Sequence, residues 1–517
     1  MDEPKPSILG QLNAALTLSS ILWLVATWII YRVALAIYNI SPLHPLSRFP
    51  GPKIAASSYL YEAYYDWWRV GHYGIVIAQM HKKYGPIVRI NPDELHCSDP
   101  LFTDEIYTSS PHRIRDKWQH QLNTGGAGPV SVTGFSTVSH ELHRAKKAPL
   151  SRFFSRAQML KLESEVHEFA NLTVEKMLRS AGQGAVFDVK EAFNCFTADV
   201  ISQYCFGEPM GFVAQEGWEP NFATWVKSFF KSAYMMRHNV LARKMAQVLP
   251  FMADYLGDDV RNVMRVMNVT IPEYIRAALE NPENGRVFAE VMGDKGDMSE
   301  EEKYRYNGEG FNFLLAGTET TAAILTVLTY HLLSTPSLLT HLQSTLPPTA
   351  PQTWLSHEKN THLTALLLES LRLMPGVTHR SARIARLEDL HYASADGTYS
   401  YLIPRGTPIG MTSVINHCDE KLFPAPDEFK PERWLKADGT VDTALKGKLL
   451  AFGKGGRSCV GENLAYCELY IMAALMATKV LPRARLVDTT VEDISYDHDL
   501  IVLQTKKGSI SVKIEID

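Results

Sequence analysis

Ten residues late in the chain, "FGKGGRSCVG" (Phe452 to Gly461), set one thiol, Cys459, among four glycines and two cations. A loop of this kind can cradle phosphate, hold zinc, present a nucleophile or offer a ligand to a metal cofactor. A phosphate loop needs G-x-x-x-x-G-K-[ST], so that backbone N–H groups surround the anion. Here Phe452 stands where that pattern, started at Gly447, needs its second glycine, and Lys454 is followed by Gly455. A structural zinc site needs about four clustered ligands, and Cys459 has only Cys467 near it. "HELH" at His140 and "HEKNTH" at His357 both miss the H-E-x-x-H spacing. A nucleophilic cysteine needs a positioned base, which sequence leaves open. As a cofactor ligand the thiol must ionise. Cys459 precedes the apolar-periodic "GENLAYCELYIMAALMATKV", and a helix N-terminus there should lower its pKa.

The full pattern F-x-x-G-x-R-x-C-x-G, carried by Phe452, Gly455, Arg457, Cys459 and Gly461, resembles the haem-binding loop of the cytochrome P450 family. The resemblance implies haem b as cofactor, with Cys459 as the axial iron ligand. A thiolate in that place pushes electron density onto iron and favours O–O cleavage. The glycines would bring backbone N–H groups to the sulfur, Phe452 would shield it, and Arg457 suits a propionate carboxylate.

Other segments agree with the resemblance. "FNFLLAGTETTAAIL" (Phe311 to Leu325) looks like the family's long helix over the oxygen face. Glu319 and Thr320 are an acid–alcohol pair in an apolar run, where a buried carboxylate is costly; the implied role is proton delivery, with Gly317 leaving room for oxygen. A mid-helix threonine more simply bonds back to a carbonyl. Glu369-x-x-Arg372, on the apolar "LLLESLRLMP", and Arg433 of "FKPERWL" look like the family's structural Glu–Arg–Arg network. In "VSHELHRAKK", Arg144 falls at a propionate-binding position. His140 stands where tryptophan is common, a departure from the pattern, and is a further candidate donor to a propionate. In "GVTHRSARIA", Arg383 aligns as a further propionate partner, with Arg380 as its competitor. The resemblance also implies a loop from His112 to Val138 capping a substrate pocket lined by Phe311, Leu315, Ala316, Val377 and Thr378.

These residues need a scaffold. The chain has 517 residues, 45% hydrophobic and 21% charged, with net charge −4. That is an ordinary globular balance without the basic stripe of a nucleic-acid binder. Six sparse cysteines without a C-x-x-C pair fit free thiols in a reducing compartment. From Ala14 to Tyr31 eighteen residues carry no charge, and Trp23 and Trp28 suit an interface. With an acidic start, Arg32 downstream and no small-residue cleavage site, this reads as an uncleaved anchor with a cytoplasmic body. "SPLHPLSRFPGP", with four prolines between Pro42 and Pro52, reads as a stiff, extended linker. Periodicity then predicts amphipathic helices from about His140 to Glu290, a loop at Gly293 to Lys303, and a long apolar helix from Asn307 to Ser334. Strands are predicted at "GPIVRINPDELHCSD", around the Asp396-Gly397 turn, and as a terminal hairpin turning at Gly508.

The expected fold is mainly α with a minor β region: residues 1–38 an anchor, 39–52 a linker, and 53–517 a single large haem domain of the cytochrome P450 fold. The expected activity is insertion of one oxygen atom of O2 into an apolar small molecule. Electrons would come from NADPH through a separate membrane-bound reductase, since no flavin or nicotinamide fingerprint follows. Lys82, Lys83, Lys146, Lys147 and Lys454 are candidate docking cations. The sequence style resembles fungal secondary-metabolism enzymes of the trichodiene-oxygenase-like group, which implies terpenoid or polyketide-derived substrates at the endoplasmic reticulum membrane. The alternatives are oxidative rearrangement, coupling or ring formation on the same fold, and a non-catalytic haem sensor or carrier.

Overall fold

The computed structural model describes residues 18–126, 128–248, 255, 257–281, 286–293, 298–346 and 352–517. The expected apolar run therefore begins outside the described residues, and so does part of the loop expected at Gly293 to Lys303. Helix α1 (Leu18–Ile40) meets the body at its C-terminal end and carries large exposed side chains that include Trp23 and Trp28. Two other described helices are long and apolar enough to cross a bilayer, but they are mostly buried in the body.

The proline-rich segment after α1 is not extended. It folds into successive turns, with Ser41 N–H donating to Tyr38 O and Ser47 N–H to His44 O. Leu46 and Phe49 are buried against Ile87 and Ile403. Proline sets φ but does not prevent turns, and two apolar side chains suffice to draw the segment onto the body.

Helix α2 (Tyr73–Tyr84) precedes strands β1 (Ile87–Arg89) and β2 (Leu95–Cys97). With β3 (Arg115–Lys117), β5 (Arg383–Ala385) and β8 (Pro408–Gly410) they form a sheet ordered β1-β2-β8-β5-β3. Strand β4 (Val186–Asp188) joins a second sheet ordered β4-β12-β9, with β9 (Ala484–Leu486) and β12 (Lys513–Ile516). Among the described residues, two hairpins complete the β part. One is β6 (Leu390–Ala393) with β7 (Ser400–Ile403), and the other β10 (His498–Leu500) with β11 (Val502–Gln504). The terminal segment does turn near Gly508, where Thr505 and Gly508 exchange backbone hydrogen bonds. The flanking strands do not pair with each other, however: β11 pairs with β10, and β12 with β4 and β9.

The helical core comprises α3 (His140–Ser151), α4 (Arg156–Leu178), α5 (Val189–Phe206), α6 (Phe222–His238), α7 (Glu300–Ser334), α8 (Thr361–Leu373) and α9 (Glu462–Leu475). Helix α7 is central and packs against α5, α8 and α9. Ser299 caps it by accepting from Glu302 N–H, and Glu300, Glu301 and Glu302 complement its dipole. Close approach is built in. A Cβ on Gly308 would lie 2.2 Å from Pro129 O, and one on Gly317 would lie 3.0 Å from Ile201 of α5. Gly317 thus serves helix–helix contact, which differs from the oxygen groove expected of it.

Candidate active site

The cysteine loop is held by its own backbone. Cys459 N–H donates to Phe452 O at 2.8 Å, and Phe452 packs against Tyr466 with ring centroids 5.2 Å apart. Gly455 has φ +72°, and a Cβ there would meet Tyr107 O at 2.4 Å, so both conformation and space demand glycine. Gly461 directly precedes α9, and its Cβ position is 3.9 Å from Cys459 Sγ. The Cys459 side chain is exposed. Packed surroundings nonetheless push its thiol pKa up, while Gly461 N–H and the Lys147 ammonium pull the other way. The lowering expected from the helix N-terminus is therefore outweighed in the polypeptide alone. Coordination by a metal ionises a thiol outright.

Beside the loop lies a set of crowded cations. Arg457 donates to Thr137 O and Val138 O, both at 2.7 Å, while its Nε has no partner among the described residues. Pairing of β3 with β5 sets Lys117 opposite Arg383. Burial depresses the pKa of Arg383, and burial and Arg383 bring that of Arg457 down to about 10. Burial, then Arg383, Arg457 and Lys147, push Lys117 far below its usual value. Like charges opposed across strands repel, and two carboxylates would relieve this crowding. The donor set therefore fits the two propionates of haem. His140 stands against Gly456 with its Nδ1 buried and unpartnered among the described residues, and Arg144 is exposed one turn along α3. Lys117 escaped the sequence reading because only strand register brings it here.

Arg380 is otherwise engaged. It pairs with Glu62, with Asp66 at 2.9 Å and with Glu94 at 3.6 Å, in a buried network that also holds Arg237. Among the described residues, Arg383 hydrogen-bonds Ser381 Oγ and Ala382 O, both at 2.9 Å, lies over the Tyr107 ring, and pairs with no carboxylate. Of the two competing arginines, Arg383 is the one left for a ligand carboxylate.

On α7, Thr320 Oγ1 donates to Ala316 O at 2.9 Å. Glu319 points elsewhere: Lys190 Nζ, buried on the first turn of α5, lies 2.6 Å from its Oε1. Burial pushes Lys190 down, but Glu319 and Glu191 outweigh it, and its pKa ends above the ordinary value. No local signal pairs residues 129 positions apart. Among the expected pocket residues, Ala316 and Val377 are exposed and Leu315 is half-buried. Phe311 and Thr378 are fully buried, Phe311 between Phe222 and Phe229.

The Glu–Arg–Arg set is closely bonded. Glu369 accepts from Arg372 at 2.8 and 3.0 Å and from Arg433 Nε at 3.1 Å. Lys430 N–H at 2.9 Å and Trp434 Nε1–H at 2.8 Å complete the cage. His417 links this set to the cysteine loop: its Nδ1 donates to Arg372 O and its Nε2 accepts from Leu450 N–H, both at 2.9 Å. Burial brings the His417 pKa down to about 4, which keeps it neutral and able to bridge.

Glu468, on α9, is buried, and its Oε1 has no partner among the described residues. Burial pushes its carboxyl far above the glutamate range, with the Thr321 hydroxyl a small opposing influence. Above the unfolded value of about 4.3, the unfolded chain loses this proton and the native chain keeps it. Stability then falls as pH rises, by up to about 1.4 kcal/mol per pH unit. Glu468→Gln should remove that slope, so its melting temperature should gain on the wild type as pH rises from about 5 to 8. Parallel melting curves across pH would refute this.

A largely helical body with small sheets, a cysteine loop before α9 and a threonine-bearing central helix define the haem-thiolate class. The cytochrome P450 family profile matches residues 67–512, and the chain belongs to that family. It is similar to the cytochrome P450 monooxygenase ppzE of Metarhizium majus, 35% identical over 460 residues, 84% of this chain and 95% of that protein. It is 34% identical over 510 residues to the cytochrome P450 monooxygenase oblB of Cochliobolus heterostrophus, 94% of each. The tryptophan 6-hydroxylase fscE of Fusarium equiseti is 33% identical over 528 residues, 99% of each. The chain is accordingly a cytochrome P450 monooxygenase, using haem, dioxygen and electrons from a redox partner.

Proposed function

We propose that this enzyme oxygenates an apolar small molecule in fungal secondary metabolism. NADPH would supply electrons through a membrane-bound cytochrome P450 reductase at the endoplasmic reticulum. On this reading residues 1–38 are the anchor, 39–52 the connector and 53–517 the haem domain, facing the cytosol. The observation that carries the chemistry is Cys459 before α9, beside Arg457 bound to Thr137 and Val138 and the facing pair Lys117 and Arg383. The similarity to fungal monooxygenases supports the pathway class.

Haem, when bound, supplies dioxygen activation and oxygen transfer to substrate. Cys459 would ligate its iron, and Arg457, Arg383 and Lys117 would hold its carboxylates, with His140 and Arg144 at the same edge. Thr320 Oγ1 would exchange its bond to Ala316 O for one to a water, and so hold a proton donor over the reacting face. Lys190 would fix the Glu319 carboxylate, so that a proton reaches Thr320 from a set direction. Ala316, Leu315 and Val377 would present an apolar wall that excludes bulk water.

Thr320→Ala tests the proton role. Electron consumption should continue while peroxide release rises about ten-fold or more at the expense of product, the scale on which one positioned proton-transfer group acts. Unchanged coupling with a turned-over substrate would refute it. The substrate class is tested by feeding terpenoid, polyketide-derived and indole candidates to cells carrying this enzyme and a reductase, with products read by mass spectrometry. Oxygenation of the indole candidates alone would reject the apolar assignment.

A further inference from the structure

Among the described residues, two groups of side chains outside the haem site bring metal-ligating atoms together. In the first, Glu62, His120 and His238 converge. Glu62 is already bound by Arg380 and has Arg237 at 3.6 Å, so a dication would lie against two guanidiniums. The second consists of His72, Asp497 and His498, whose ligand atoms all lie within 4.8 Å of one another. Among the described residues no lysine or arginine pairs with Asp497; its ionic contacts are His72 Nε2 at 3.7 Å and His498 Nδ1 at 2.9 Å.

The geometry suits a small transition-metal ion. Bonds of about 2.1 Å in a tetrahedron put ligand atoms about 3.4 Å apart, so movements of under about 1 Å would complete the three-ligand face. His72 Nδ1 lies 2.9 Å from Val70 O and donates to it. Its Nε2 faces the Asp497 carboxylate at 3.7 Å. A backbone carbonyl orienting a histidine through its other nitrogen is the usual support of a metal ligand. The two imidazole rings are parallel within 6°, with centroids 5.1 Å apart. The side chains of His72 and Asp497 remain about one-third exposed, enough for a hydrated ion to enter and keep water as its remaining ligand.

We propose that His72, Asp497 and His498 bind one divalent ion of the zinc class. This site fastens the turn before α2 to the base of the β10–β11 hairpin. The tip of that hairpin is Ile501, whose carbonyl accepts from Thr378 N–H at 3.0 Å, and Val502 bridges Val377. Occupancy would brace the strand behind the expected substrate wall.

The test uses the full-length haem-loaded protein, stripped with chelator and desalted. Calorimetric titration with zinc should give one site per chain, magnesium should give none, and zinc should raise the melting temperature. His72→Ala and His498→Ala should each weaken zinc binding at least about ten-fold, the scale on which even outer partners act. Glu62→Gln should leave it unchanged. The reduced-carbonyl spectrum checks that each variant keeps its haem pocket, and His72→Gln replaces any that does not. Absence of one-to-one zinc binding in the wild type overturns the proposal. So does wild-type affinity in the His72→Ala/His498→Ala protein, or loss of binding on Glu62→Gln.

Discussion

Cys459→Ser should yield a folded protein whose reduced carbonyl complex lacks the strongly red-shifted Soret band of a thiolate-ligated haem. Monooxygenase turnover should fall by orders of magnitude, because a serine hydroxyl does not ionise at neutral pH and donates less charge to iron. The fold should survive, since Cys459 is exposed and the loop is held by bonds that do not involve its sulfur: Cys459 N–H to Phe452 O, and Arg457 to Thr137 and Val138. The measurement is the difference spectrum alongside far-ultraviolet circular dichroism. A retained red-shifted band would sink the assignment of Cys459 as the ligand.

Glu369→Ala should be the most damaging single change to the fold. It leaves the fully buried Arg372 guanidinium and the largely buried Arg433 without their shared carboxylate. Breaking a buried pair by removing one partner costs about 3–5 kcal/mol, against a total stability of about 5–15 kcal/mol for a typical protein. The damage should reach the cysteine loop, because Arg372 O holds His417 and His417 holds Leu450, two residues before Phe452. The expected result is little haem incorporation and a melting temperature lowered by many degrees. Glu369→Gln should do less harm, since its carbonyl still accepts. A Glu369→Ala protein with full haem content and unchanged melting would show that the network is dispensable.

Sequence carried the parts of this enzyme that lie within one local segment. The cysteine loop, the acid–alcohol step on α7 and the Glu369–Arg372 pair each sit within about ten residues, so spacing alone expresses them. The three bulk elements also followed from periodicity: the N-terminal apolar helix, the helical middle and the β1–β2 pair. What sequence did not express is contact across long separations. Lys190 meets Glu319, Lys117 faces Arg383, and His417 spans the gap to Leu450 only after folding. The terminal hairpin was misplaced for the same reason. A strand looks for its nearest neighbour in sequence, yet β12 finds β4 more than 300 residues upstream. Nor does spacing express that two phenylalanines of α6 pack against Phe311.

The end of α1 has a consequence for how the enzyme sits on a membrane. Asn39 is buried, its side chain donates to Ser57 O at 2.8 Å, and its carbonyl accepts from Arg89 at 2.9 Å. Together with the turns that follow, this makes a welded elbow, not a tether. With α1 in a bilayer, the body would be unable to swivel, and its tilt to the lipid plane would be set by protein geometry. A flexible glycine–serine insert between Ile37 and Tyr38, ahead of these contacts, would free that angle without touching the haem site.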